Sequence, residues 1–433
     1  MRILHVFPYY GAALHGGAET YEYHLTQQLA ARGAEVEVLT TCTLRPEHTS
    51  AFSSRWVAEV APGVSFEGDV LVRRFPVSFS VPPAAGAAIS RLIFRRWAHE
   101  ARQLPDGDDP IAAHHRRALA RPRIYDWLLM LARGPHAAGL AAALRHGAAR
   151  ADVVLAAFVP FATLWYGARA AAAAHRPFVV LPFFHPEDRY HHFAVFYRCF
   201  AQAAAVLAQS PYSATLLRTL APGANPVQIG VGVDRAELES TGISGARFRA
   251  RHNLEGKRVV LLVGRKEPAK RYDLAVDAVE ALDDNGVVLI MIGQDVDGRP
   301  LASSRVRYLG AVDRAELLDA YDACDLFVLP SEHESFGIVF LEAWMRGKPV
   351  LGNRRCRPVA SVIDDGIDGY LCDDAVEFAA RIRDLLDAPE RAATLGRAGR
   401  TKALEHYTWG AIGRRVHALC QTVSAQRAGE ARA

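Results

Sequence analysis

Short runs of aliphatic and β-branched residues alternate with amphipathic stretches along the whole chain. Helical patterns such as Glu19–Arg32, Arg271–Leu282 and Arg314–Ala323 separate many of these runs. The runs predict two series of strands: first Ile3–Phe7, Val36–Thr40, Val153–Ala157, Phe178–Leu181 and Val206–Ala208, then Val259–Val263, Val287–Ile292, Val306–Leu309, Leu326–Leu329 and Val350–Leu351. Such alternation is typical of parallel sheets with helices on both faces, the doubly wound α/β class.

Two series of strands predict two domains, and a length of 433 residues favours the same number. The extended segment Pro226–Asp234, which contains proline and glycine, separates the series. We therefore expect a first domain over residues 1–228, with a helical basic insert at about 81–150, and a second over 229–405. Residues 406–433 form a last segment with the helical pattern Trp409–Val423.

Overall charge and cysteine usage narrow the class of protein. A formal net charge of +4 does not indicate a nucleic-acid-binding protein. The six cysteines show no C-x-x-C pair and no metal-ligand spacing, so we expect buried free thiols in a reducing compartment. Met1-Arg2 leads directly into a predicted strand, and the longest apolar stretch, Val153–Ala168, is shorter than the roughly 20 residues of a membrane span. We expect a cytoplasmic protein.

The insert is the most basic part of the chain. Between Val81 and Arg150 there are eleven arginines and five acidic residues, a surplus of six positive charges. Ile89, Ile93, Trp97 and Ala101 recur every four residues, which predicts an apolar helix face. That face could lie on anionic lipid at the inner membrane face and collect a lipid-linked acceptor, or it could pack on the first domain. Both readings stay open.

The stretch PSEHESFGIVFLEA, from Pro330 to Ala343, predicts an anion site. A buried strand ends at Pro330, so Ser331–Ser335 is the loop at its carboxyl end, where open α/β sheets bind ligands. Ser335 is the expected N-cap of a helix over Phe336–Arg346. Because Ile338 stands where a capping box needs Glu or Gln, the first-turn amides are free for a phosphate. Gly337 allows close approach.

Two glutamates flank this predicted anion site. Glu334 precedes the helix and Glu342 lies about two turns into it, so each can accept hydrogen bonds from hydroxyls on one side of the phosphate. A nucleotide-diphosphate sugar has this arrangement, with a ribose and a hexose around a diphosphate. The alternative is ordinary: a glutamate near a helix start is commonly a dipole partner, and one in mid-helix commonly faces solvent.

A strand-to-helix loop of the second domain supplies cations. Arg265 and Lys270 lie in it, and two fixed cations can neutralise a diphosphate without a metal, although an exposed basic loop is the simpler alternative. We expect Lys266 to point to solvent. Asp295-Val296-Asp297 is followed by Gly298 and is interpreted as an acidic turn, so no metal or other cofactor is expected.

The first domain offers two weaker signals. Gly16 and Gly17, after the first strand, let the backbone approach a phosphate or substrate closely. No G-x-G-x-x-G occurs in the chain, which counts against a nicotinamide enzyme. His185 follows the strand Phe178–Leu181, and we favour a functional role over a structural one. His191 and His192 are expected at the surface.

Together these segments resemble the retaining glycosyltransferases of family 4, which have the GT-B fold. The motifs that carry the resemblance are HGGAE at His15, HPED at His185, GVGVD at Gly230, VGRKEPAK at Val263 and ESFGIVFLE at Glu334. The resemblance covers nearly the whole chain except the insert. It implies two Rossmann-like domains facing each other across a deep cleft, with a last helix that crosses back to the first domain.

The resemblance also implies roles for the candidate residues. Glu334 and His185 would contact the donor sugar, Glu342 the nucleotide ribose, and Arg265 and Lys270 the diphosphate. His185, Glu334, Arg265 and Lys270 form the expected catalytic set; Gly16, Gly17, Arg265, Lys270, Glu334, Ser335, Phe336, Gly337, Ile338 and Glu342 form the expected donor-binding set. The chain departs from the family at Arg271, where a small residue is usual.

The predicted activity is metal-independent transfer of a hexose from a UDP- or GDP-hexose, with retention of configuration. The acceptor would be a hydroxyl of a glycan, a lipid-linked compound or a small molecule. Two alternatives remain, a UDP-sugar 2-epimerase of the same fold and a non-catalytic protein that binds sugar nucleotides.

Overall fold

The structure is a computed structural model that describes residues 1–14, 17–44, 47–50, 53–82, 84–89, 91–93, 109–301 and 303–430. It divides into two compact units. The first unit consists of Met1–Gln209, Ser213–Ile229 and Gly413–Ala433, and the second of Ser210–Tyr212 and Gly230–Ile412. Each unit is built around its own parallel sheet.

The first unit contains a sheet of eight strands and a separate two-stranded hairpin. In chain order the strands are β1 (Arg2–Val6), β2 (Glu35–Thr41), β3 (Glu47–Ser50), β4 (Ser53–Arg55), β5 (Gly63–Glu67), β6 (Val70–Phe75), β7 (Val153–Ala157), β8 (Phe178–Leu181), β9 (Ala205–Ala208) and β10 (Pro226–Gln228). The order across the sheet is β10-β9-β8-β7-β1-β2-β6-β5, while β3 pairs with β4. All neighbours in the large sheet are parallel except β5, which runs antiparallel to β6 at the edge.

Helices cover both faces of this sheet. They span Gly17–Ala30, Pro110–Ala120, Arg123–Arg133, Ala138–Arg150, Ala162–Ala173, Ala194–Gln202 and Pro211–Leu220, and the last helix of the chain spans Trp409–Glu430. Every residue of β7, β8 and β9 is buried, as expected for parallel strands that are packed on both sides.

The predicted insert is largely helical where it is described. Ile93 is buried in the hydrophobic core of the first unit, and Ile89 packs against the same core. For these two residues the structure supports packing on the first domain. Trp97 and Ala101, the rest of the predicted apolar face, lie outside the described residues.

The second unit contains a six-stranded parallel sheet. Its strands are β11 (Arg258–Val263), β12 (Val287–Ile292), β13 (Val306–Gly310), β14 (Leu326–Leu329), β15 (Val350–Asn353) and β16 (Gly369–Cys372), in the order β13-β12-β11-β14-β15-β16. The helices span Arg235–Leu238, Gly245–Arg251, Tyr272–Glu280, Arg314–Ala323, Ile338–Met345, Arg357–Ala360, Ala375–Asp387 and Pro389–His406. A 3-10 turn covers Pro268–Lys270.

Each sheet has one point where the strand order reverses. In the first unit β1 lies between β2 and β7, and in the second β11 lies between β12 and β14. Loops leaving the carboxyl ends of the two strands at such a point diverge and open a crevice for ligands. The two doubly wound sheets predicted from the sequence are confirmed, and this topology gives each unit one preferred ligand position.

Two further expectations can be compared with the structure. All six cysteines lie within the described ranges, and all are buried free thiols, as predicted. Within the same ranges, no helix combines the length and apolarity that crossing a membrane requires.

Candidate functional site

The loops after β11 and β14 meet at the reversal point of the second unit. The backbone N–H of Glu332 donates to the carbonyl of Ala269 at 3.1 Å, and the Ser331 hydroxyl lies 3.3 Å from the same oxygen. Asn353, at the end of β15, donates its side-chain amide to the Pro330 carbonyl at 2.9 Å. These bonds hold the two loops in fixed positions, so the side chains they carry are preorganised for a ligand.

Lys270 and Glu334 form the central contact of the site. The Lys270 ammonium lies 2.6 Å from Oε1 of Glu334, and both side chains are about 15% exposed. A cation and a carboxylate separated by 64 positions in the sequence are thus brought together by the topology. Partial burial strengthens the attraction between them relative to a fully solvated pair.

Arg265 lies on the same loop but is much more exposed. Its guanidinium pairs with Glu267 at 2.9 Å, and 61% of its side chain is accessible. A long, exposed arginine held only by one surface ion pair can change rotamer at small cost. Arg265 is therefore available to an anion that arrives at this loop.

The tip of the helix Ile338–Met345 is uncapped, but the predicted cap residue was wrong. The helix begins after Gly337, two residues later than expected, so Ser335 is not its N-cap. Gly337 has a φ of 85°, a left-handed conformation that favours glycine. Within the described part of the chain, no side chain hydrogen-bonds to this helix start. Phe336 is buried and Ile338 is 42% exposed.

Glu342 is held by two side chains that the sequence analysis missed. Arg314 donates to its Oε1 at 2.7 Å, and the Tyr321 hydroxyl lies 2.8 Å from its Oε2. Arg314 also pairs with Glu237 at 2.7 Å. Arg314 and Tyr321 are seven positions apart on the helix Arg314–Ala323, and this two-turn spacing is a signal that could have paired them.

Burial and charge fix the protonation states around Glu342. Burial, followed by the neighbouring Glu342 carboxylate, raises the pKa of Tyr321 well above its usual value, so the phenol stays protonated and donates. Burial lowers the pKa of Arg314, but its bonds to Glu237 and Glu342 outweigh this and raise it. Glu342 therefore sits between two permanent donors, and its remaining lone pairs can accept ribose hydroxyls.

The prediction that Lys266 points to solvent was wrong. Its side chain is 2% exposed and its ammonium pairs with Asp295 at 2.8 Å and with Asp297. The Tyr272 hydroxyl donates to the second Asp297 oxygen at 2.6 Å. The acidic segment is indeed a turn, because the N–H of Gly298 donates to Asp295 at 2.9 Å. The lysine is drawn inward because two carboxylates await it after β12.

Arg271 explains why its position usually holds a small residue. Its φ is 47°, in the left-handed region, which glycine enters more easily than other residues. The arginine tolerates this conformation while its guanidinium pairs with Asp273 at 2.9 Å and with Glu332. The loop after β11 is thus tied to the loop after β14 a second time.

The structure places the candidates of the first unit separately. Gly17 begins the helix Gly17–Ala30 and is exposed, with open space where a Cβ would lie. His15 and Gly16 lie outside the described residues. His185 follows β8, is exposed, and donates its backbone N–H to Nδ1 of His191 at 3.0 Å.

The surface positions expected for His191 and His192 were wrong, since both are buried. His192 lies between the Tyr197 hydroxyl, 2.6 Å from Nδ1, and the Pro186 carbonyl, 2.7 Å from Nε2. Because a carbonyl only accepts, Nε2 carries the proton and Nδ1 accepts from tyrosine. Burial lowers the pKa of His192 to about 4, so the ring is neutral at pH 7.

Comparison with known proteins locates the family of the second unit. Residues 246–402, which include Arg265, Lys270, Glu334 and Glu342, match the family model described as glycosyl transferases group 1. This segment is a glycosyl transferases group 1 domain.

Curated relatives resemble this domain and its surroundings. The D-inositol 3-phosphate glycosyltransferase 2 of Catenulispora acidiphila is 31% identical over 217 residues, which cover 45% of this chain and 47% of the relative. The glycogen synthase of Mycobacterium tuberculosis is 29% identical over 215 residues, 46% of this chain and 51% of the relative. The chain thus spans about half the length of these curated relatives.

Solved structures extend the likeness from the glycosyl transferases group 1 domain to the whole chain. The HepE protein of Anabaena, in complex with UDP and glucose, has a TM-score of 0.62 at 19% identity, with 98% of this chain and 100% of that chain covered. Sucrose-phosphate synthase from Thermosynechococcus elongatus has the same TM-score at 18% identity, over 98% of this chain and 99% of that one. The fold of the chain is therefore GT-B.

Proposed function

We propose that the chain is a glycosyltransferase that moves a hexose from a nucleotide-diphosphate sugar to an acceptor hydroxyl. The observation that carries this proposal is the Lys270–Glu334 contact, where a cation and a sugar-binding carboxylate meet at the reversal point of the sheet. The uncapped tip of the helix Ile338–Met345 follows directly in the chain. The names of the relatives and the UDP bound by HepE support the same activity.

In this proposal the donor is held by three sets of groups. Lys270 and Arg265 neutralise the diphosphate, helped by the backbone amides of Phe336, Gly337 and Ile338. Glu334, with Ser335 beside it, accepts hydrogen bonds from the sugar hydroxyls. Glu342, fixed by Arg314 and Tyr321, accepts them from the ribose. In the first unit Gly16, Gly17 and His185 remain proposed ligand contacts.

Catalysis follows from where charge develops. When the bond between the anomeric carbon and the diphosphate oxygen breaks, the electron pair stays on the diphosphate, and a new bond forms to the acceptor oxygen. Lys270 and Arg265 stabilise the growing negative charge more than the ground state does, which lowers the barrier. Loss of one such contact costs roughly 3–4 kcal/mol, or 10²–10³ in rate. Retention of configuration is part of the proposal.

We also propose that transfer does not depend on a metal. In support, Lys266 already neutralises Asp295 and Asp297, the acidic pair that most resembles a metal motif. Activity should be unchanged after treatment with EDTA and gel filtration. A loss of activity that Mg²⁺ or Mn²⁺ restores would contradict metal independence while leaving the transferase proposal intact.

The test of the activity begins with the donor. UDP-, GDP- and ADP-sugars are screened for an increase in Tm, because a ligand that binds only the folded state stabilises it. Hydrolysis and transfer of the best donor are then measured for Arg265→Ala and Lys270→Ala. Lys257→Ala is the control, since this lysine is hydrogen-bonded only to the Asn285 carbonyl at 3.4 Å among the contacts of the described chain. Near-normal turnover in both cation variants would overturn the proposed diphosphate contacts.

The same assays separate the two alternatives. A 2-epimerase would convert the donor into an epimer with no acceptor present, and the product would be visible by NMR. A non-catalytic binding protein would show the increase in Tm without turnover against any acceptor pool. A hexosyltransferase releases the nucleotide diphosphate only as the glycosidic bond is transferred to an acceptor or to water.

Contact with a membrane is a further part of the proposal. Leu119, Ile124 and Trp127 are each more than half exposed on the helices Pro110–Ala120 and Arg123–Arg133. Arginines on the same helices could bind anionic headgroups while these apolar side chains enter the interface. Co-sedimentation with phosphatidylglycerol vesicles but not with phosphatidylcholine vesicles, reduced by Trp127→Ala, is the expected result. Equal behaviour with both lipids would contradict it.

A further inference from the structure

The first unit contains a buried arginine without an ion-pair partner. Arg133, in the last turn of the helix Arg123–Arg133, is 9% exposed. Its Nε is buried, and within the described part of the chain this atom has no hydrogen-bond partner. Among these residues no carboxylate lies within ion-pair distance of its guanidinium. An unpaired buried charge is costly, so a protein that keeps one commonly uses it.

The surroundings of Arg133 are those of a ligand position. Its guanidinium lies over the ring of Phe161, 5.5 Å from the centroid. Phe161 follows β7 and Tyr9 follows β1, the two strands at the reversal point of the first sheet. The rings of Tyr9 and Phe161 contact each other edge to face at 6.0 Å. Arg133 therefore lies where an open α/β sheet binds ligands.

The groups nearest to Arg133 leave its charge uncompensated. Asp188 influences it electrostatically, but the Asp188 carboxylate is 42% exposed and is directed at Nε2 of His191, 3.7 Å away. Tyr9 and Tyr190 are the other polar neighbours. Burial, and secondarily the Glu19 carboxylate, raises the pKa of Tyr9, so its phenol is neutral. Burial lowers the pKa of Arg133 to about 10, which leaves the guanidinium charged at pH 7.

We propose that Arg133 binds an anionic oxygen group of the acceptor, so that the acceptor is a hydroxyl compound carrying a phosphate or a carboxylate. The planar guanidinium suits both groups because it can donate two parallel hydrogen bonds. Tyr9 and Tyr190 can add hydrogen bonds to the same group. The identification of the bound compound as an acceptor rests on the proposed function, whereas the anion site itself does not.

A purely structural role for Arg133 makes a different prediction. The guanidinium might serve only to pack on Phe161, in which case no anion would bind selectively. Arg169 provides a matched comparison, because it lies over the ring of Trp165 at 4.9 Å and is exposed. It makes the same kind of cation–π contact without burial of the charge.

The experiment measures anion binding without any donor. In the full chain carrying Arg265→Ala and Lys270→Ala, which removes the other proposed anion site, inorganic phosphate and acetate are titrated at constant ionic strength and the Tm is followed. Phosphate is expected to raise the Tm, and acetate does so only if a carboxylate is also accepted. Arg133→Gln should lower the apparent affinity at least tenfold, and Arg169→Gln should leave it unchanged.

A second variant keeps the test decisive if Arg133→Gln fails to fold. Asp188→Asn removes a nearby negative charge but keeps the oxygen that accepts the Tyr190 N–H at 2.9 Å. Phosphate affinity should then rise several-fold. Absence of stabilisation by either anion, equal affinity in Arg133→Gln, or no change in Asp188→Asn would overturn the proposal. Because no transfer is measured, a failed transferase assay would not affect this result.

Discussion

The ammonium of Lys270 lies 2.6 Å from the carboxylate of Glu334. The cation proposed for the diphosphate is thus already held by the acid proposed for the sugar. When a donor binds, its diphosphate must compete with Glu334 for Lys270, while its sugar hydroxyls offer Glu334 a substitute. The pair therefore responds differently to a complete donor and to a nucleotide diphosphate that lacks the sugar.

Glu334→Gln should change these two ligands in opposite directions. Binding of the free nucleotide diphosphate should tighten several-fold, because Lys270 loses its competing partner. The kcat/KM for the nucleotide sugar should fall about 10²-fold, since a charge-assisted hydrogen bond to the sugar is lost. Calorimetry and initial rates measure the two effects. Glu332→Gln is the control, because Glu332 pairs with Arg271 and not with Lys270. If both ligands weakened together, Glu334 would act only through folding.

Removal of the groups that hold Glu342 should weaken donor binding more than turnover. Tyr321→Phe and Arg314→Gln each delete one donor to the carboxylate, which would then be free to rotate away from the ribose. The donor KM should rise about tenfold with kcat little changed, the pattern of a lost ground-state contact. Glu237→Gln, on the far side of Arg314, should have a smaller effect. A fall in kcat at constant KM would contradict this role.

Gly337→Ala should be more destabilising than Gly347→Ala. Both glycines have positive φ, 85° and 68°, so each substitution carries the left-handed strain of roughly 1–2 kcal/mol. A Cβ at Gly347 would meet open space, whereas one at Gly337 would lie 2.7 Å from the ring of Phe340. Urea unfolding should show a larger loss for Gly337→Ala, by about 1 kcal/mol or more. Equal losses would mean that Phe340 moves freely.

Acid should destabilise the first unit through His192. Its pKa is about 4 in the folded protein against 6.5 for the unfolded chain, so the unfolded state takes up the proton first as the pH falls. Stability is therefore complete above pH 6.5 and is lost between pH 6.5 and 4, by up to about 3 kcal/mol from this group. Urea unfolding of the wild type and His192→Gln measures the difference in pH dependence. His406→Gln is an exposed control; an identical slope in His192→Gln would contradict the assignment.

Much of the fold follows from local pattern, because buried parallel strands are continuous apolar runs. β7, β8, β12 and β14 have the bounds that the sequence predicted. The pair β5 and β6 was not anticipated. Val64 and Phe66 of β5 are more than 60% exposed, so an edge strand that buries little carries no strong hydrophobic signal.

The candidate site was predictable as far as chain order determines it. Lys270 and Glu334 follow adjacent strands of one sheet, and the order of α/β units brings such loops together. The fate of Lys266 was not predictable, because its partners Asp295 and Asp297 approach only through the pairing of β11 with β12. The start of the helix Ile338–Met345 depends on the φ of Gly337, which the favourable Ser335 signal obscured.

The assignment of Gly413–Ala433 to the first unit affects how that unit can be made in isolation. Gly413 packs against Gln28, and Arg427 donates to the His175 carbonyl at 3.3 Å. Val416 and Cys420 are fully buried on the same helix. A gene fragment that stops at residue 229 would strip this apolar strip of cover and yield a sticky, self-associating product. A soluble version needs the terminal helix spliced back on, for example through a short flexible peptide.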